Sequence, residues 1–407
     1  MDDRIPKPKE RYVILIAGMI VQLCAGIIYM WAVFKGPVAE FLEKAPEDIA
    51  LVSSVMLSAF VIGIIIGGTL QDRLGPRKIT LIGSITMSVG ILSSSFVTAE
   101  TASLIYITYG VIGGLGVGTV YMCTVACVQK WFPDRRGFAT GAMVGAFGFS
   151  LVIFAPLAES LLGSAGVPNT FRIFGLAFLI VCVGASLILC NPPRDYSVSG
   201  ASAKRDSDKK QYTPREMVRT VPFYLISGSM FFVLPAYFIL NPNLVSLAAD
   251  RGLAGYAVSG VMITGLFSAT GRLLITWLSD RTGRDGALFL ISVMTAIGVV
   301  ILTFATGALF LVCVAIISLA FGGASGTYAA ITADYFGTKN MGANYGLVTL
   351  GFGASALIFP FLSNIISEPG DMTNAFILSA VTCAIAFVLV LILKIMNSRN
   401  GNASVGT

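Results

Sequence analysis

The sequence predicts an all-α membrane protein whose twelve transmembrane helices form two six-helix halves. Three observations carry this expectation. Hydrophobic residues fill 56% of the 407 positions and charged residues only 12%, with a mean hydropathy of +0.84. No soluble domain has that balance. Apolar runs of spanning length recur twelve times along the chain, and motifs of the first half reappear in the second.

Residues 1–11 are polar and basic. The apolar run 12–34 that follows has no small-residue cleavage site, so it reads as a first span and not as a removable signal peptide. Further spans are expected near 47–70, 79–97, 104–128, 138–163, 169–190, 221–247, 255–278, 286–306, 308–333, 343–367 and 373–395. Alternate loops, both termini among them, hold 22 of the Lys and Arg residues, whereas the other set holds 3. This asymmetry places both termini in the cytoplasm, supports an even number of spans, and explains the net charge of +6 without nucleic acid. The expected setting is the plasma membrane, with the chain a monomer. Residues 191–220 run from Pro192-Pro193 through a Ser-rich stretch into Lys204-Arg205-Asp206-Ser207-Asp208-Lys209-Lys210. Such a stretch buries no core and is expected to be a mobile cytoplasmic linker between the halves 1–190 and 221–407.

The halves echo one another in their loops. Asp72-Arg73-Leu74-Gly75-Pro76-Arg77-Lys78 follows the second span and Asp280-Arg281-Thr282-Gly283-Arg284 the eighth, 208 positions later. Trp131-Phe132-Pro133-Asp134-Arg135-Arg136-Gly137 follows the fourth span and Tyr335-Phe336-Gly337-Thr338-Lys339 the tenth, with 204 positions between Phe132 and Phe336. Two parallel six-helix halves around a midplane site is an architecture of secondary transporters. Gly75 and Gly283 permit the tight turns. Asp72 and Asp280, with Arg73, Arg77 and Arg281, are expected to form gating contacts that hold in one state and break in another.

One charge stands apart. Arg272 lies eight residues before Asp280, where the polar loop begins, so it sits about 12 Å up the helix. A guanidinium there costs roughly 3 kcal/mol even on the lenient insertion scale. A cation held at that cost calls for an anion, and the expectation is the carboxylate of a small transported substrate. The rival reading is a structural staple onto backbone carbonyls. The chain contains no histidine, which excludes a histidine proton relay and a His-ligated metal. Its seven cysteines all fall in apolar runs at spacings matching no metal site and read as small packing residues. No nucleophile with a base, no cofactor cradle and no metal ligand set is evident, so neither an enzyme nor a cofactor is expected. The Gly-x-Gly pieces near Gly116 and Gly118 lie inside a membrane span with no strand before them and read as close-packing surfaces. Pro156, Pro235, Pro242 and Pro360 are expected to bend their helices.

These motifs resemble the major facilitator superfamily. Within it, Gly26-Ile27-Ile28-Tyr29-Met30-Trp31, Gly116-Val117-Gly118-Thr119-Val120-Tyr121, the stretch Lys130–Gly137, Gly271-Arg272 with Ser279-Asp280, and Asn344-Tyr345-Gly346 resemble the oxalate/formate antiporter family. The resemblance implies that Arg272 binds substrate carboxylate and that Tyr29 and Tyr121 belong to a substrate cage. Oxalate carriers of that family add a lysine in span eleven, where this chain has Phe352. A dianion in a low-dielectric cavity wants two cations, so a lone arginine favours a monoanion such as formate, acetate, pyruvate, lactate or glyoxylate. Many of the related monocarboxylate transporters have an acid one turn before the arginine as a proton partner; here that position is Ser268. Phe147, Phe321 and Tyr328 are further candidate cavity walls.

The expected activity is therefore secondary transport of small monocarboxylates by alternating access, as anion exchange or proton symport. The alternatives are an oxalate/formate-type dicarboxylate antiporter, a membrane-embedded carboxylate sensor, and an exporter of drugs or neutral solutes. Span five, reading Gly145-Ala146-Phe147-Gly148-Phe149-Ser150, lacks the glycine-proline pattern of drug antiporters and counts against the last.

Overall fold

Glycines placed against carbonyls decide how these helices pack. In a computed structural model, residues 10–46, 48–132, 136–193, 196, 211–337, 340–367 and 371–403 are described. The chain divides into two compact units, Met1–Lys209 and Lys210–Thr407. Among the described residues the regular structure is helical, and eleven segments are long and apolar enough to cross a membrane. One of them covers two expected spans: α6, numbered in chain order below, turns at Gly166, whose φ of 76° and ψ of 173° break the helix. Exposed apolar side chains such as Ile62, Ile180, Leu273 and Phe304 cover the outside of both units, a surface that lipid solvates and water does not.

In the first unit, α1 (Glu10–Ala25) passes through a 3-10 turn, Gly26–Tyr29, into α2 (Trp31–Phe41). The expected loop at 35–46 is shorter than its polarity suggested: the helix runs on through Lys35-Gly36-Pro37 because Val38 and Ala39 are buried. Next come α3 (Val52–Leu74), α4 (Pro76–Ser93), a π-helical stretch Tyr106–Gly113, α5 (Gly114–Trp131) and α6 (Arg136–Ile188). The second unit holds the short α7 (Pro214–Met217), then α8 (Val221–Val233), α9 (Pro235–Asp250), α10 (Ala257–Thr282) and α11 (Arg284–Phe304). It ends with α12 (Gly307–Phe336), α13 (Met341–Val348), α14 (Leu350–Ile366) and α15 (Thr373–Ala403). Pro235 separates α8 from α9 as expected of a residue without an amide donor, whereas Pro156, Pro242 and Pro360 stay within continuous helix.

The internal repeat is visible at atomic detail. Gly75 (φ 84°, ψ 158°) and Gly283 (φ 85°, ψ 151°) make the same turn in a backbone region open essentially to glycine alone. A Cβ at Gly63 would collide with the Leu115 carbonyl, and one at Gly271 with the Leu319 carbonyl. Likewise Gly118 faces the Phe60 carbonyl, and Gly322 the Ser268 carbonyl. Each of these pairs is related by the 208- and 204-residue offsets of the loop motifs. The crossings α3/α5 and α10/α12 are therefore the same small-residue joint built twice.

The expected linker is ordered where it enters the second unit. Tyr212 donates its amide to the Phe336 carbonyl (3.0 Å) and packs its ring on Phe336. The Tyr212 carbonyl accepts from Asn340 Nδ2 (2.9 Å) and Asn344 Nδ2 (3.1 Å). Thr213 and Glu216 then cap α7 reciprocally. Pro133, Asp134, Arg135, Thr338, Lys339 and the central part of the linker (197–210) lie outside the described residues.

Candidate substrate-binding site

Because Gly271 and Gly322 bring α10 and α12 into backbone contact, the residues beside them are withdrawn from the surface. Arg272 is 4% exposed and Ser268, one turn earlier, is 1% exposed. Thr264, one turn earlier again, satisfies its hydroxyl on the Val261 carbonyl at 2.7 Å. The Ser268 and Thr276 hydroxyls have no hydrogen-bond partner among the described residues, and Thr276 Oγ1 faces Gly326 of α12. Ser268 thus offers a buried hydroxyl one helical turn from a buried guanidinium. That pair suits a carboxylate: the cation supplies charge and the hydroxyl a directional donor. α10 carries no Asp or Glu before Asp280.

An aromatic group stands in the same unit. Phe321 of α12 stacks on Tyr237 of α9 with centroids 3.7 Å apart and planes 6° from parallel. Phe238 meets Phe321 at 5.8 Å and Phe352 of α14 at 4.9 Å. Phe321 and Phe352 were anticipated; Tyr237 and Phe238 were not, although Tyr237 lies 208 positions after Tyr29 and the repeat would have found it. Tyr328 is placed differently. It is 1% exposed and its hydroxyl donates to Ser229 of α8 at 3.0 Å, which makes it a tie between helices.

The first unit brings its three anticipated rings together with a fourth. Tyr29 meets Phe147 at 5.5 Å, Tyr121 meets Phe147 at 5.1 Å, and Phe60 of α3 lies 5.3 Å from Tyr121 and 6.1 Å from Phe147. Phe60 and Phe147 are stacked and the other three pairs meet edge to face; aromatic pairs in either arrangement are worth about 1 kcal/mol each beyond burial. Gln22 of α1 donates to the Tyr121 carbonyl (3.1 Å) and to Thr124 Oγ1 (3.0 Å), a buried polar fastening that composition gave no reason to single out.

The loop motifs also take definite partners. Arg284 bonds Asp280 through Nη1 at 2.6 Å and Asp334 of α12 through Nε at 2.9 Å, and Nη1 also donates to Ser279 Oγ. Asp280 thus pairs with Arg284, which was not among the expected gating arginines, and Asp334 is a further, unanticipated partner of Arg284. Arg281 instead lies over the Trp277 ring at 4.1 Å. In the first unit Arg77 Nε donates to the Leu189 carbonyl at 3.4 Å and Arg73 is exposed. The Asp72 side chain lies outside the described residues. Among the described residues no group of three His, Cys, Asp or Glu could hold a metal ion.

The model of the Major Facilitator Superfamily matches residues 14–349 and 293–404. The oxalate:formate antiporter of Oxalobacter formigenes is 28% identical over 93% of this chain and 90% of its own length. Monocarboxylate transporter 13 of Rattus norvegicus is 26% identical, covering 90% and 85% respectively. Apicoplast pyruvate carrier 1 of Toxoplasma gondii is 22% identical over 87% and 83%. With a family match across nearly all of its helices and relatives that are named transporters, this chain belongs to the Major Facilitator Superfamily as a multi-pass membrane transporter and not an enzyme.

Proposed function

We propose that this protein carries small monocarboxylates across the plasma membrane by alternating access, with Arg272 as the seat of the carboxylate. The observation that carries the reading is a guanidinium 4% exposed, one turn from the buried Ser268 hydroxyl. Tyr29, Tyr121, Phe147, Phe321 and Phe352 are proposed substrate contacts, while Tyr328 serves packing. Phe352 packs against the rings of Phe238 and Phe321, at the position where oxalate carriers of the family have a lysine. A dianion facing one arginine would keep an uncompensated charge in low dielectric, which disfavours oxalate. Such a carrier runs as anion exchange or as proton symport, with both termini on the cytoplasmic side. The Arg284–Asp280–Asp334 cluster is the proposed gate contact of the second half.

Exchange in proteoliposomes tests the reading. Vesicles loaded with unlabelled lactate are given labelled lactate outside, with formate, pyruvate, acetate and oxalate as competitors. Competition by the monocarboxylates without competition by oxalate is expected. Oxalate as the best competitor would move the assignment to the dicarboxylate antiporters, and saturable binding without flux would make the protein a sensor.

A further inference from the structure

Span one departs from α-helical geometry at Gly26–Tyr29, directly before the ring of Tyr29, and something must hold that departure in place. One anchor is steric: a Cβ on Gly26 would overlap the Phe147 carbonyl and Ser150 of α6. The other is polar. The Tyr109 hydroxyl donates to the Ile27 carbonyl at 3.0 Å, the same oxygen that closes the 3-10 turn by accepting the Met30 amide at 2.9 Å. Tyr109 is fully buried, with its ring against Trp31, Phe34 and Phe171. It stands on the π-helical stretch Tyr106–Gly113, so one hydrogen bond joins two irregular helical segments. Such segments cluster at functional positions because they aim side chains that a regular helix cannot.

The geometry gives the bond its consequence. A 3-10 turn advances about 120° and 2.0 Å per residue, against about 100° and 1.5 Å in an α-helix. Over the three steps from Gly26 to Tyr29 the difference is about 60° of rotation and about 1.5 Å of rise. Relaxation of the turn to α geometry would therefore swing Tyr29 off its edge-to-face contact with Phe147. We propose that Tyr109 is a positioning residue for Tyr29: its hydroxyl holds the 3-10 turn, and the turn aims the Tyr29 ring. The transport readout of this inference rests on the monocarboxylate reading above; its structural readout does not.

Tyr109→Phe removes one oxygen and keeps the ring. In the purified full chain, amide hydrogen exchange should rise about five-fold, the worth of one buried hydrogen bond, and only across residues 26–34. In proteoliposomes the lactate KM should rise about five-fold, with the maximal rate within about two-fold. In a Tyr29→Ala background the same substitution should leave KM unmoved, because the ring it positions is gone. Phe171→Leu, which loosens the packing around Tyr109 without touching the Ile27 carbonyl, should not reproduce the KM effect. Unchanged or evenly raised amide exchange would overturn the proposal, as would an equal KM shift in both Tyr29 backgrounds. Failure of the wild-type protein to exchange any monocarboxylate would instead overturn the substrate reading, and the exchange map over 26–34 would still decide whether Tyr109 holds the turn.

Discussion

The α3/α5 joint and the α10/α12 joint are the same construction with different cargo. Gly63 against Leu115 and Gly118 against Phe60 in the first unit become Gly271 against Leu319 and Gly322 against Ser268 in the second. At the positions beside these glycines, however, Phe60 and Ile64 of the first unit give way to Ser268 and Arg272, each 208 residues on. The difference separates packing from chemistry. The first unit shows that the joint closes well with two apolar side chains there, so neither the arginine nor the serine is required to build it. Burial makes the Arg272 charge costly, and the first unit's version of the joint does without it.

The largest effect should come from filling the joint. Gly322→Leu drives a side chain into the Ser268 carbonyl, and Gly118→Leu does the same at Phe60; both should abolish recovery of folded protein in size-exclusion profiles. If only one of the two is lethal, the joints are not equivalent. Next comes Arg272→Ile, which installs the first unit's residue. It should keep or raise the thermal midpoint while exchange falls about 100-fold, since removal of one partner of a buried charge-assisted pair costs about 2–5 kcal/mol. Loss of folding together with activity would instead make Arg272 a staple. Ser268→Ala should raise the lactate KM about five-fold at unchanged maximal rate, the size of one hydrogen bond. The smallest effect is expected from Arg284→Gln. Its two ion pairs join side chains 23%, 58% and 44% exposed. Solvent screening holds their worth to about 1 kcal/mol, and the drop in thermal midpoint, about 2 °C, should shrink further in high salt.

Much of this was legible because membrane helices state their requirements openly. Length and hydropathy mark spans, and a charge such as Arg272 is conspicuous in apolar surroundings. The rings Tyr29, Tyr121 and Phe147 were likewise identified in advance, and they do meet. Phe60 and Phe238 were not, since an aromatic residue on a membrane helix looks the same in sequence whether it faces lipid, a neighbour or a substrate. The 3-10 turn at Gly26–Tyr29 was hidden for a related reason: it is imposed by Phe147, Ser150 and Tyr109, which lie far away in the chain. The pairing of Arg284 with Asp334 joins the two ends of different helices and has no local signature. The docking of residues 211–220 was masked by composition, because it rests on the Tyr212 carbonyl between Asn340 and Asn344, the Tyr212 ring on Phe336 and the single buried Met217, too little apolar content to mark a packed segment.

That docking has a practical corollary for anyone cutting the polypeptide. A split version produced as two co-expressed fragments, or a reporter domain inserted between the halves, should leave Gln211 and Tyr212 at the head of the second fragment. Severing after Thr220, where hydropathy alone would place the seam, would strip the Tyr212 amide from the Phe336 carbonyl and leave the side-chain amides of Asn340 and Asn344 without their acceptor.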